Sequence, residues 1–285
     1  MKKIALTLFV LMFCISYARA DDVDDALGRE ATDQLRASTR QMINFGIDKE
    51  DTIRMTRTMI RNRFQQEQVI RAQNVVMETR RNGLPTDPVM SKALEGMAKR
   101  VEANKIIQAM ERVRNRYAVA HGHAAQLTSE PTRRQTLTRS IAEGMTAGMA
   151  EGDVKRLMTQ IRERRTQMDR KMLGDLAAES FGMARDMARR RVSSDKVTEV
   201  VGGALRNRYS TRKMRQLRRS FMENGGNMDS ISRANRFGDT FERGTGARDI
   251  SPGSIGGGAG QGGSGGPAGG FGGGGSGGGS GGRGR

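Results

Sequence analysis

Apolar residues recur along most of this chain at intervals of three and four, the spacing that lines one face of an α-helix. Leu137, Ile141, Met145 and Met149 make one such stripe, and Met55/Met59, Met168/Met172 and Met183/Met187 repeat the four-residue step. The positions between are filled with Arg, Glu, Ala and Gln, which favour helix, and strand-like alternation is almost absent. The pattern predicts an all-α domain over residues 22–243. It breaks at recognisable punctuation: Asp48 ahead of Asp51, Gly83-Leu84-Pro85 with Asp87 before Pro88, Ser129 before Pro131, Ser193-Ser194, and Gly225-Gly226. These breaks divide the domain into about ten short helices.

A degenerate repeat runs through those helices. Ile53 precedes Arg61-Asn62-Arg63-Phe64, Ile106 precedes Arg114-Asn115-Arg116-Tyr117, and Val197 precedes Arg206-Asn207-Arg208-Tyr209. Val154 precedes a decayed copy, Arg162-Glu163-Arg164-Arg165. The copies drift in spacing, as helix pairs do in an irregular α-solenoid or in a bundle grown by duplication. Each unit reads as a helix ending at a small-residue turn and a second helix closing on the basic signature.

Both ends of the chain depart from this pattern. After residue 244 the sequence turns rich in Gly and Ser, and from residue 253 on its large apolar groups are Ile255 and Phe271. No core can form there, so residues 244–285 are expected to be a disordered tail, a spacer or tether. At the start, Lys2 and Lys3 precede an apolar run over residues 4–15, and Ala18-Arg19-Ala20 follows. That is the layout of a secretory signal peptide over residues 1–20, cleaved between Ala20 and Asp21. The run is too short for a membrane-spanning helix, so the mature chain is expected to lack a transmembrane segment and to work in the periplasm or outside the cell. Phe13 before Cys14 argues against lipid attachment at that cysteine. Cys14 is the one cysteine in the sequence, so its removal leaves neither disulfides nor thiolate chemistry.

Charge adds a partner class. The full sequence carries 49 Lys and Arg against 31 Asp and Glu, a formal net charge of +18. The mature chain stays strongly basic, and Arg greatly outnumbers Lys, which suits phosphate and carboxylate partners. Nucleic acid is disfavoured, because single-strand binders add aromatic stacking platforms and this chain has no Trp. A protein or an anionic envelope component is the expected partner.

The stretch Gly83-Leu84-Pro85, followed by Glu95-Gly96-Met97-Ala98-Lys99 and Val101, resembles a recurring pattern in exported all-helical bacterial proteins of uncharacterised function. It covers residues 83–117, and elsewhere it is reduced to Glu143-Gly144-Met145-Thr146-Ala147 or lost. The resemblance implies helical repeats and export, and brings no site residues.

Candidate chemistry is sparse. The Arg-Asn-Arg-aromatic signature makes Arg61, Arg63, Arg114, Arg116, Arg206 and Arg208 the candidates for binding an anionic partner. The same residues at helix ends would complement the helix dipole and cap carbonyls. The methionine pairs suggest Cu(I) handling or oxidant scavenging, against ordinary service as adaptable core filler. His121-Gly122-His123 reads as a solvated loop between helices, and two histidines do not make a metal site. Ser193-Ser194-Asp195-Lys196 matches Ser-x-x-Lys without its companion Lys-Thr-Gly. Glu179-Ser180 is similar to the catalytic pair of lytic transglycosylases, which would make a cell-wall hydrolase, but residues 185–192 replace the Gly-Leu-Met-Gln segment that should follow. Gly262-Gly263-Ser264-Gly265-Gly266 fits Gly-x-Ser-x-Gly only through tail composition. The sequence therefore predicts a non-enzymatic, cofactor-free interaction or structural module with basic faces.

Overall fold

The computed structural model describes residues 23–223 and 229–242. The expected cleavage site at Ala20 and Asp21, the break at Gly225-Gly226 and the glycine-rich residues 244–285 lie outside them. Among the described residues the fold is all-α. A short helical turn over 23–27 precedes α1 (Asp33–Asn44), α2 (Lys49–Arg61), α3 (Gln66–Arg81) and α4 (Asp87–Ala98). The long α5 (Ala103–Leu127) follows, then α6 (Pro131–Thr146), α7 (Glu151–Glu163) and a 3-10 turn, Arg164–Thr166. The chain continues through α8 (Arg170–Arg189), α9 (Ser194–Arg206), α10 (Thr211–Glu223) and α11 (Ser230–Glu242).

The punctuation marks the starts of four of the described helices, α2, α4, α6 and α9, although the residue that closes the cap is not always the one it singled out. The Asp48 carboxylate accepts from Asp51 N at 2.8 Å, and Gln65 and Gln68 form a reciprocal capping box. Glu130, not Ser129, caps α6, accepting from Thr132 N and Arg133 N, with Pro131 at the first helical position. Ser193 occupies the cap of α9 without a side-chain bond. The neighbouring Ser194 hydroxyl instead donates to Asp153 and accepts from Ala150 N, tying α9 to α7.

Helix ends follow one recurring design. Seven helices end in a residue with positive φ followed by a largely apolar position: Gly46-Ile47, Arg63-Phe64, Gly83-Leu84, Arg100-Val101, Gly148-Met149, Arg191-Val192 and Arg208-Tyr209. In each, the second residue's N–H donates back to the carbonyl five positions earlier at 3.0–3.2 Å, and the first to the carbonyl three positions earlier. This is the Schellman closure, which satisfies the last helical carbonyls and turns the following side chain inward. Ile47, Leu84, Met149, Val192 and Tyr209 are buried by it.

The most extensive packing joins alternate helices: α1 on α3, α3 on α5 and α2 on α4 in the first half, then α6 on α8, α8 on α10, α7 on α9 and α9 on α11. This is the stacking of an irregular helical solenoid. The strongest exception is α5, which packs extensively on both of its chain neighbours, α4 and α6; α8 also packs on its neighbour α9. Two cores result. One is built from Leu35, Met42, Met59, Val69, Val89 and Ile107 among others, and the second from Leu137, Leu157, Phe181, Val200 and Phe221 and their neighbours. Half-buried Val113 of α5 packs against both. The seam between the cores therefore crosses the middle of α5.

Polar bonds tie the stacked helices together. In the first half, buried Gln73 donates to Thr39 at 3.1 Å and Thr56 at 3.0 Å, linking α3 to α1 and α2. In the second, Arg133 meets Asp175 at 2.9 Å, Arg189 meets Glu143 at 2.9 Å and Arg218 meets Asp186 at 2.6 Å.

Candidate functional site

The six candidate arginines fall into three places. Arg61 and Arg63 sit exposed at the end of α2, and Arg206 and Arg208 exposed at the end of α9, both on Schellman turns. Arg114 and Arg116 do not end a helix, contrary to the expectation that the copies occupy equivalent ends. They lie in the middle of α5, half-buried. The residue after the signature explains the difference. Gln65 and Ser210 can cap the next helix, and Ser210 accepts from Lys213 N at 3.3 Å, whereas Ala118 offers no acceptor and the helix runs on. Arg114 accordingly pairs with Glu78 of α3, and Arg116 donates to the Thr146 hydroxyl at 3.0 Å.

The C-terminal ends of α7 and α9 meet to form a basic edge. The Arg164 guanidinium, from the decayed repeat, donates to the Leu205 carbonyl at 3.2 Å and the Tyr209 carbonyl at 3.5 Å, capping the neighbouring helix. Burial lowers the pKa of Arg164, and the charge of Arg208 adds to the effect, although a guanidinium stays protonated under any working condition. Arg206 lies over Gly202 beside Gln160 of α7, and the Lys213 ammonium stands 5.7 Å above the Tyr209 ring. Among the described residues, none of Arg162, Arg165, Arg206 and Arg208 forms an ion pair. The edge is thus a concentration of uncompensated positive charge.

A groove of about 540 Å³ opens at the seam between the two cores. Its apolar surface comes from Ala109, Val113 and Tyr117 of α5 and from Ala147 at the end of α6, and Lys92, Arg112, Arg116 and Arg189 supply the cations around it. Its two acids are already engaged. Glu95 bonds Lys92 at 2.8 Å and Lys99 at 2.5 Å, which hold its carboxyl down to about 2. Glu143 is held by Arg185 and Arg189. Arg112 is exposed and, among the described residues, has no carboxylate partner. Burial raises the Tyr117 phenol above its ordinary value, with the Glu143 charge adding to the effect.

The remaining candidates take ordinary structural positions. His121-Gly122-His123 lies inside α5, correcting the expected loop. One exposed glycine costs a helix about 1 kcal/mol, too little to break one whose Ala120, Ala124 and Leu127 are packed into the core. Both histidines have pKa values lowered, mainly by burial. Among the described residues no group of three or more His, Cys, Asp and Glu could hold a metal. Met55, Met59, Met183 and Met187 are fully buried, whereas Met172 is exposed. The Glu179 carboxylate is occupied by Arg215 at 2.7 Å and Arg218 at 3.6 Å, while the Ser180 hydroxyl donates to the Leu176 carbonyl within the core. Lys196 pairs with Glu199. No described helix is long and apolar enough to cross a membrane.

The sequence did not single out Lys92, Arg112, Tyr117 and Arg189 as parts of one site, because their meeting depends on the continuity of α5. The decayed repeat was the signal that could have located Arg164, since its spacing from Val154 matches that of the intact copies. Comparison of the chain with protein-family models, with curated proteins and with solved structures finds no match.

Proposed function

We propose that this protein is a non-enzymatic helical-repeat module, exported in its mature form, that holds an anionic envelope partner on the arginine-lined edge where α7 and α9 end. The observation that carries this reading is the convergence of Arg164, Arg206, Arg208 and Lys213, none of which pairs with a carboxylate among the described residues. The backbone there is held by closed helix ends, so the guanidinium groups extend from fixed points toward the phosphates or carboxylates of a polyanion. The groups offered by Glu179, Ser180 and Lys196 are bonded within the fold, which supports a binding role over a hydrolytic one.

Titration of the mature protein with phosphorylated lipopolysaccharide and with a neutral polysaccharide tests the proposal. Binding is expected to the first alone, weakening with salt, and falling about tenfold in the Arg206→Glu/Arg208→Glu double variant. Equal binding by the double variant would make the basic edge purely structural.

A further inference from the structure

We propose that the seam groove is a second binding site, which receives a short acidic peptide segment of a partner protein. An apolar side chain of that segment would rest on Val113, Tyr117 and Ala147, with its carboxylates against Arg112 and Arg116. Three observations lead there. The groove, at about 540 Å³, is of the size that encloses a ligand or a few peptide side chains, and its surface is partly apolar. Its charge is unbalanced in one direction: Glu95 and Glu143 are each bonded to two cations, while Arg112 has no carboxylate partner among the described residues and Arg116 bonds a hydroxyl. A planar guanidinium at such a rim matches a carboxylate in two-point contact.

The occupant must bring both properties. The chain's own residues 243–285 do not qualify, since they carry Arg243, Arg248, Arg283 and Arg285 against Asp249 alone and would be repelled. A polymer of phosphates would satisfy the rim but leave the apolar surface uncovered. An acidic segment with one or two large apolar residues satisfies both, and the position of the groove between the two halves of the solenoid lets one ligand touch α4, α5 and α6 together.

Fluorescence anisotropy with fluorescein-labelled acetyl-Glu-Leu-Phe-Glu-Asp and the full mature chain tests the site. The peptide is expected to bind, and to bind about tenfold more weakly to Arg112→Glu, an exposed position whose change leaves folding intact. The charge-reversed acetyl-Lys-Leu-Phe-Lys-Lys and the apolar-deleted acetyl-Glu-Ser-Ser-Glu-Asp should both fail to bind. The Arg206→Glu/Arg208→Glu variant should bind normally, which separates this site from the basic edge. Unchanged binding by Arg112→Glu, equal binding of the apolar-deleted peptide, or displacement by inorganic polyphosphate as effective as by unlabelled peptide would each overturn the proposal.

Discussion

Arginine occupies a left-handed backbone position at four of the seven helix closures: Arg63, Arg100, Arg191 and Arg208, with φ between 54° and 63°. A side chain there costs about 1–2 kcal/mol relative to its usual conformations, and glycine avoids that strain. Gly46, Gly83 and Gly148 do so at three equivalent turns. At the arginine turns a cation next to the negative end of the helix dipole offsets only part of that strain. Arg100→Gly is therefore expected to stabilise the fold by about 0.5–1 kcal/mol, since relief of strain exceeds the extra chain entropy of glycine. Urea denaturation at constant m-value measures it. The two histidines of α5 act in the opposite sense to a stabilising cation. Their folded pKa values lie below 6.5, so the unfolded chain binds protons first, and their contribution is present above pH 6.5 and lost as pH falls through the folded values. Melting temperatures at pH 7 and pH 5 should therefore differ more in the wild type than in a His121→Gln/His123→Gln variant.

Contacts between elements explain why a glycine sits within α4. A Cβ added at Gly96 would stand 2.6 Å from Cγ1 of Ile106, so α4 and α5 approach as closely as backbone and side chain permit. Gly96→Ala should cost about 1–3 kcal/mol by overpacking, read as a lowered urea midpoint. The Glu-Gly-Met-Ala-Lys stretch that the sequence singled out thus has a physical basis in this contact. The element most poorly read from sequence was α5. Its Arg-Asn-Arg-Tyr copy and its His-Gly-His segment both carry the marks of a helix end, yet neither is followed by a residue able to start the next helix. Continuity was decided by packing on both sides, with Ile106, Ile107 and Met110 in one core and Tyr117, Ala120, Ala124 and Leu127 in the other.

The described residues pack mainly as two large cores joined by one helix, and this organisation has a measurable consequence. Met59 is fully buried in the first core, so Met59→Ala should cost about 2–5 kcal/mol there. Hydrogen exchange read by mass spectrometry should show protection falling in α1 to α4 while α8 and α9 keep theirs. A uniform loss across both halves would mean a single cooperative unit. The seam is also where the proposed peptide site lies, so a ligand in the groove should raise protection on both sides of Val113.

The amino-acid sequence by itself determined the all-helical class, the starts of α2, α4, α6 and α9, and the buried stripes. These are local properties: residue propensity, the spacing of apolar positions and the reach of a cap across one turn. It also identified the arginines of the α2 and α9 ends, because a repeated tetrad at a helix end stands out in one dimension. Tertiary structure alone decided that the middle copy continues as helix, that Arg164 caps α9 across a gap of about forty residues, and that four helices converge on one groove. Each depends on which faces meet after stacking, and pairwise packing between distant segments leaves no local trace in the order of the residues.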